Sequence, residues 1–121
     1  MQDLTLETII AIHDGILAKD GGDNRVLSEG NLLQLVFRAN LTGDPLKRAA
    51  LVFYSLCAFP VFRTGNRRTA RRLAEAILAS DGHQVDIPCE DLRGLVQDID
   101  MFTVEIDDVE QFLRKHARKI S

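Results

Sequence analysis

From Leu46 to Cys57 the chain offers an apolar side chain to nearly every face of a helix. Leu46, Ala49, Ala50, Phe53 and Cys57 form one stripe, and Leu51, Val52 and Leu56 fill in beside it. A helix that is apolar almost all round must be enclosed by the rest of the chain. Its ends are also marked. Asp44 supplies a capping carboxylate ahead of Pro45, which sits at the first helical position where its missing N–H costs nothing. Pro60 disfavours helical geometry in the residue before it and stops the helix at Ala58 or Phe59.

The remaining segments repeat a helical period, with apolar residues recurring at i, i+3, i+4 and i+7. Leu6, Ile9, Ile10, His13 and Leu17 give a first helix one apolar face, and Gly21-Gly22-Asp23-Asn24 breaks it. Ser28 offers an N-cap oxygen to a second helix that runs to about Ala39 through Leu32, Leu33 and Val36. After the central helix, another starts near Asn66 or Arg67, buries Ala70, Leu73, Ala74 and Ile77, and ends at Ser80-Asp81-Gly82, where glycine suits a left-handed cap. A fifth begins close to Pro88 and packs through Leu92, Leu95, Val96 and Ile99; a sixth runs from Asp107 or Asp108 with Val109, Phe112, Leu113 and His116 inward. No strand alternation competes. The expectation is an all-α, six-helix fold over residues 1–121 as a single domain, since 121 residues is an ordinary size for one.

With 45% hydrophobic residues the chain is too apolar for disorder, and no apolar run approaches the ~20 residues that span a bilayer. No basic stretch leads into an apolar one at the N-terminus, so a cytoplasmic protein without membrane attachment is expected. Cys57 and Cys89 lie far apart without a second metal-ligand pair, which argues against zinc and disulfides and reads both as buried thiols. The net charge of −3 hides an uneven distribution. Arg63, Arg67, Arg68, Arg71 and Arg72 fall within ten residues that contain no acid, so this stretch carries +5 and the rest of the chain −8. An acidic remainder speaks against general nucleic-acid binding, as does the lack of aromatic residues among the arginines for base stacking.

Four of these arginines, Arg67, Arg68, Arg71 and Arg72, fall in the first turns of a helix, where they oppose the positive end of its dipole. Gly65 lets the backbone approach a ligand closely, and the first N–H groups of the helix have no partner within it. Helix N-termini bind anions for this reason, and early arginines can add bidentate contacts to phosphate. Gly65, Asn66, Arg67 and Arg68 are therefore the candidate phosphate-binding residues. The alternative is that the arginines pair with the acidic surface and Gly65-Asn66 is a plain turn.

The stretch Pro60-Val61-Phe62-Arg63-Thr64-Gly65-Asn66-Arg67-Arg68-Thr69-Ala70 resembles the His-x-Phe-x-Asp/Glu-Gly-Asn-Lys/Gly-Arg signature of the Fic/Doc (Fido) superfamily, most of all its death-on-curing (Doc) toxin-like branch. Leu4-Thr5-Leu6 with Ile12-His13-Asp14, Arg25 to Leu33, Asp81-Gly82-His83 and Val109 to Ala117 extend the resemblance over nearly the whole chain. It implies a Fic/Doc-like fold with a central buried helix followed by an anion-binding loop. It also implies protein phosphotransferase or AMP-transferase chemistry with ATP or another nucleotide, and an antitoxin-like peptide or protein as partner besides a protein target. Phe62 matches the aromatic that anchors the loop, Gly65 and Asn66 the Gly-Asn pair, and Arg68 the terminal arginine, while Arg67 replaces the usual Lys.

The pattern breaks at its two chemical positions. The family's catalytic histidine falls at Pro60, which cannot titrate, and its metal-binding acid falls at Thr64, which weakens the case for Mg²⁺. General-base catalysis is worth about 10²–10⁴-fold. His13, His83 and His116 are the remaining histidines; the first and last fall on apolar faces, His83 is expected to be exposed, and nothing in the sequence brings any of them to the loop. The favoured expectation is a catalytically impaired Doc-like protein that keeps a nucleotide or phosphate anion hole and has no metal site. An active transferase with an atypical base, or a toxin–antitoxin interaction module, are the alternatives.

Overall fold

The computed structural model describes residues 2–120. It contains helices α1 (Leu6–Asp20), α2 (Glu29–Ala39), α3 (Pro45–Ala58), α4 (Asn66–Ser80), α5 (Cys89–Asp100) and α6 (Ile106–His116), with short strands β1 (His83–Val85) and β2 (Ala117–Lys119). The apolar stretch is the axis of the fold. Ala49, Ala50, Val52, Phe53 and Leu56 of α3 are fully or almost fully buried, and α2, α4, α5 and α6 all pack against that helix. One continuous core of buried side chains runs from Leu4 to Leu113.

Capping explains where most helices begin. Thr5, Ser28 and Asp44 each accept a backbone N–H at the starts of α1, α2 and α3. Glu105 and Asp108 exchange side-chain and backbone bonds in a capping box that moves the start of α6 to Ile106, just ahead of the expected Asp107. Gly82, at φ +77°, takes the left-handed conformation that ends α4.

Three features depart from the sequence reading. β1 and β2 pair antiparallel, with His83 opposite Lys119, Gln84 opposite Arg118 and Val85 opposite Ala117. Strands of three residues are too short to show alternation, and this pair exists because the ends of α4 and α6 arrive side by side. Cys89 is exposed rather than buried, since it occupies the first turn of α5, while Cys57 is buried as expected. The third is Arg48, a buried charge within the apolar helix. Its guanidinium donates to Ala39 O at 3.0 Å, Gln2 O at 2.7 Å and Thr42 O at 3.1 Å, tying the N-terminal segment and the end of α2 to α3. Three carbonyl dipoles make such a burial tolerable where an unmet charge would not be.

Candidate functional site

The segment from Phe59 to Gly65 leaves α3 and turns into α4. Its shape is held by Asn66, whose Oδ1 accepts from the N–H groups of Val61 at 3.0 Å and Phe62 at 2.9 Å while Nδ2 donates to Phe62 O at 2.7 Å. Asn66 thus spends its Oδ1 and one Nδ2 proton inside the loop, which leaves its backbone N–H at the uncapped start of α4. Phe62 points into the core, 1% exposed, with its ring stacked on the His13 imidazole at 3.6 Å between centroids. Gly65 has φ +83°, a left-handed conformation that glycine adopts without strain.

The segment between α1 and α2 lies along this loop. Leu27 and Ser28 donate to Val61 O, Arg63 donates to Arg25 O, and Val26 and Phe62 form an isolated antiparallel bridge. Thr64 Oγ1 accepts from the Asp23 N–H at 3.1 Å and donates to Asp23 O at 3.2 Å. Gly22 is needed beside it, because a Cβ there would come within 2.7 Å of Thr64 Oγ1. The Asp23 carboxylate binds Arg25 and faces Arg63, and the hydrogen bond from Arg25 is the main cause that lowers its pKa to about 2.

The far side of the loop opens on a cleft of about 540 Å³, lined by Cys57, Pro60, Arg63, Thr64, Gly65, Asn66, Arg67, Arg68 and Asp100. Pro60 and Thr64 thus line the same cleft as Gly65, Asn66, Arg67 and Arg68. No side chain caps α4, and its first turn holds no acid. Two of its arginines have carboxylate partners from elsewhere in the fold, Arg67 with Asp100 at the end of α5 and Arg68 with Asp20 at the end of α1 at 2.8 Å, while Arg71 faces Glu75 one turn along α4 itself at 3.6 Å. All of these arginines stay at least two-fifths exposed, and exposed ion pairs contribute only about 0.2–1 kcal/mol each.

The cleft offers little reactive chemistry. Pro60 has no titratable group, and the Thr64 hydroxyl is committed to Asp23. Burial, with the nearby Asp100 carboxylate, pushes the Cys57 thiol up to about 12, so it is not a thiolate nucleophile near neutral pH. Asp100 is the one carboxylate among the cleft's lining residues, and no three His, Cys, Asp or Glu side chains converge among the described residues.

The fold adds here what the sequence does not show. The fold does bring a histidine to the loop: His13 is fully buried, and its Nε2 lies 2.7 Å from Thr64 O. His116 bonds Phe112 O within its own helix, and His83 lies on β1 beside Asp81, partly rather than openly exposed. Asp20, Asp23 and Asp100 also belong to the site and were missed. Each lies at or just beyond a helix end far from the loop in sequence, so only their surplus of negative charge could have signalled them.

No protein-family model matches the chain, and neither does any curated protein. Among solved structures it is similar to Fic-1 (aa134–508) from C. elegans, with a TM-score of 0.72 and 26% identity over 94% of this chain; it spans 40% of that structure's length. The chain has the all-α fold of a Fic domain, which supports the Fic/Fido superfamily. No helix among the described residues is long and apolar enough to cross a membrane.

Proposed function

We infer that this is a Doc-like Fido-domain protein whose cleft binds the phosphate of a nucleotide or similar ligand without transferring a group from it. One observation carries the reading. Of the six helix starts among the described residues, that of α4 alone has neither a side-chain cap nor an acid in its first turn, and it opens on a cleft lined by Arg67 and Arg68. Unmet N–H groups, the helix dipole and two arginines favour an anion there. Asp20 and Asp100 hold those arginines through exposed pairs weak enough for a doubly charged phosphate to replace them.

Impairment of transfer rests on what stands around the cleft. No side chain that lines it stands as a free base: Pro60 has no titratable group, the Cys57 thiol is held protonated, and Asp100 is bound to Arg67. The residues present do not fit a resident Mg²⁺, which prefers carboxylate and water oxygens, because the hydroxyl of Thr64 is already engaged. Calorimetry with ATP, AMP and inorganic phosphate tests the site; binding that Arg68→Ala weakens supports it, and no binding by the native chain defeats it. Transfer of radiolabel from a nucleotide to a target protein by the native chain would overturn the impairment.

A second reading, an interaction module for an antitoxin-like partner, is favoured by α2 and the turn that follows it. Leu33, Phe37 and Leu41 recur every four residues and are 56%, 55% and 74% exposed. A stoichiometric helical partner lost on Phe37→Lys, with no phosphate binding in calorimetry, would favour this reading over the first.

A further inference from the structure

We propose that His13 is the positioning residue of the anion cleft, acting from behind the loop through a single peptide plane. The proposal rests on the phosphate-binding reading above. The His13 imidazole is fully buried under the loop, its face stacked on Phe62 and its Nε2 2.7 Å from Thr64 O. A carbonyl oxygen can only accept, so Nε2 must carry the proton and donate it. The other ring nitrogen, Nδ1, is buried without any partner. For packing against Phe62 alone a phenylalanine would serve better, since it would leave no polar atom unmet at that depth. What the imidazole adds is the one hydrogen bond to Thr64 O.

That bond has a consequence on the opposite side of the loop. In a trans peptide the C=O and the following N–H point in opposite directions, and the described chain contains no cis peptide. By drawing Thr64 O inward, His13 turns the Gly65 N–H outward, to the side where Thr64 and Gly65 line the cleft. The Gly65 N–H has no acceptor among the described residues. Glycine allows the arrangement twice over: its φ of +83° suits the turn, and a Cβ at that position would press on His13 Nε2 at 3.3 Å. A donor preorganised toward a negative oxygen needs no rearrangement when the anion arrives. His13 is not a substitute base for the cleft, because it is fully buried and is not among the residues that line it.

The test compares His13→Phe, which keeps the stacked ring and removes the donor, with His13→Gln, whose amide N–H reaches to a similar point. Nitrogen-15 NMR of the native chain should show His13 protonated at Nε2. His13→Phe should shift the Gly65 amide resonance and weaken inorganic phosphate and AMP at least tenfold, and His13→Gln should restore most of both. Should His13→Phe fail to fold, the native tautomer and the His13→Gln affinity still decide. Protonation at Nδ1 would overturn the proposal, as would a His13→Phe chain with an unmoved Gly65 resonance and native affinity. If the native chain binds no phosphate, the anion reading falls, whereas the tautomer and the Gly65 shift still judge the role of His13.

Discussion

The starts of α3 and α4 are two solutions to one problem. Each helix begins with N–H groups that have no partner within it. At α3 the chain answers from its own sequence: Pro45 removes one donor and the Asp44 carboxylate accepts from Leu46 N–H at 3.0 Å. At α4 it does the reverse, placing glycine at the cap, no acid in the first turn, and Arg67 and Arg68 where they oppose the dipole. The first arrangement is complete in itself and serves stability. The second is locally unfavourable, and distant carboxylates at the ends of α1 and α5 compensate it only loosely. A start that the sequence leaves open, on a cleft that the fold keeps open, is suited to a ligand; a closed one is suited to hold a core helix.

The contrast can be broken most forcefully at Asn66. Replacing it with alanine removes three hydrogen bonds that shape the loop, so denaturant titration should show a loss of about 2–4 kcal/mol together with loss of phosphate binding. Phosphate at about one hundred times its dissociation constant should raise the stability of the native chain by about 2.7 kcal/mol, and Arg68→Ala should remove most of that gain. Asp44→Ala should cost about 1 kcal/mol and leave phosphate affinity unchanged. Equal effects of Asp44→Ala and Arg68→Ala on affinity would erase the distinction between the two starts.

Smaller effects sharpen it. At pH 8 a thiol reagent should modify Cys89 quickly and spare Cys57 until the chain is unfolded. Because the folded chain holds the Cys57 pKa near 12 against an ordinary 9.0, the unfolded state loses its proton first, and stability should fall as pH rises from about 9 toward 12. Asp23 works in the opposite sense. Its pKa of about 2, against an ordinary 3.8, gives a contribution that is present above about pH 4 and lost as pH falls toward 2, and Arg25→Ala should flatten that part of the acid titration.

Much of the fold is legible in the sequence. The stripe from Leu46 to Cys57 identified the central helix, and Ser28, Asp44 and Gly82 marked helix ends that fold as expected. Less of the site is. The loop residues Phe62 to Arg68 stand together because they are adjacent in the chain. His13, Asp20, Asp23 and Asp100 reach them only through packing, and their sequence neighbourhoods read as ordinary helix faces and ends. His13 reads from the sequence as a core histidine and is one; only the packing of α1 under the loop brings its Nε2 to Thr64 O.

What the sequence determined alone are the properties set by short-range physics: helical period, proline and glycine boundaries, caps, and the concentration of five arginines in and just before the start of one helix. Tertiary structure decided which groups answer those arginines, how the loop carbonyl of Thr64 is turned, and that two three-residue segments pair as strands. Local rules act over a few residues along the chain. Hydrogen bonds and ion pairs between residues 33 to 51 positions apart depend on where whole helices come to rest, and burial of the apolar faces sets that.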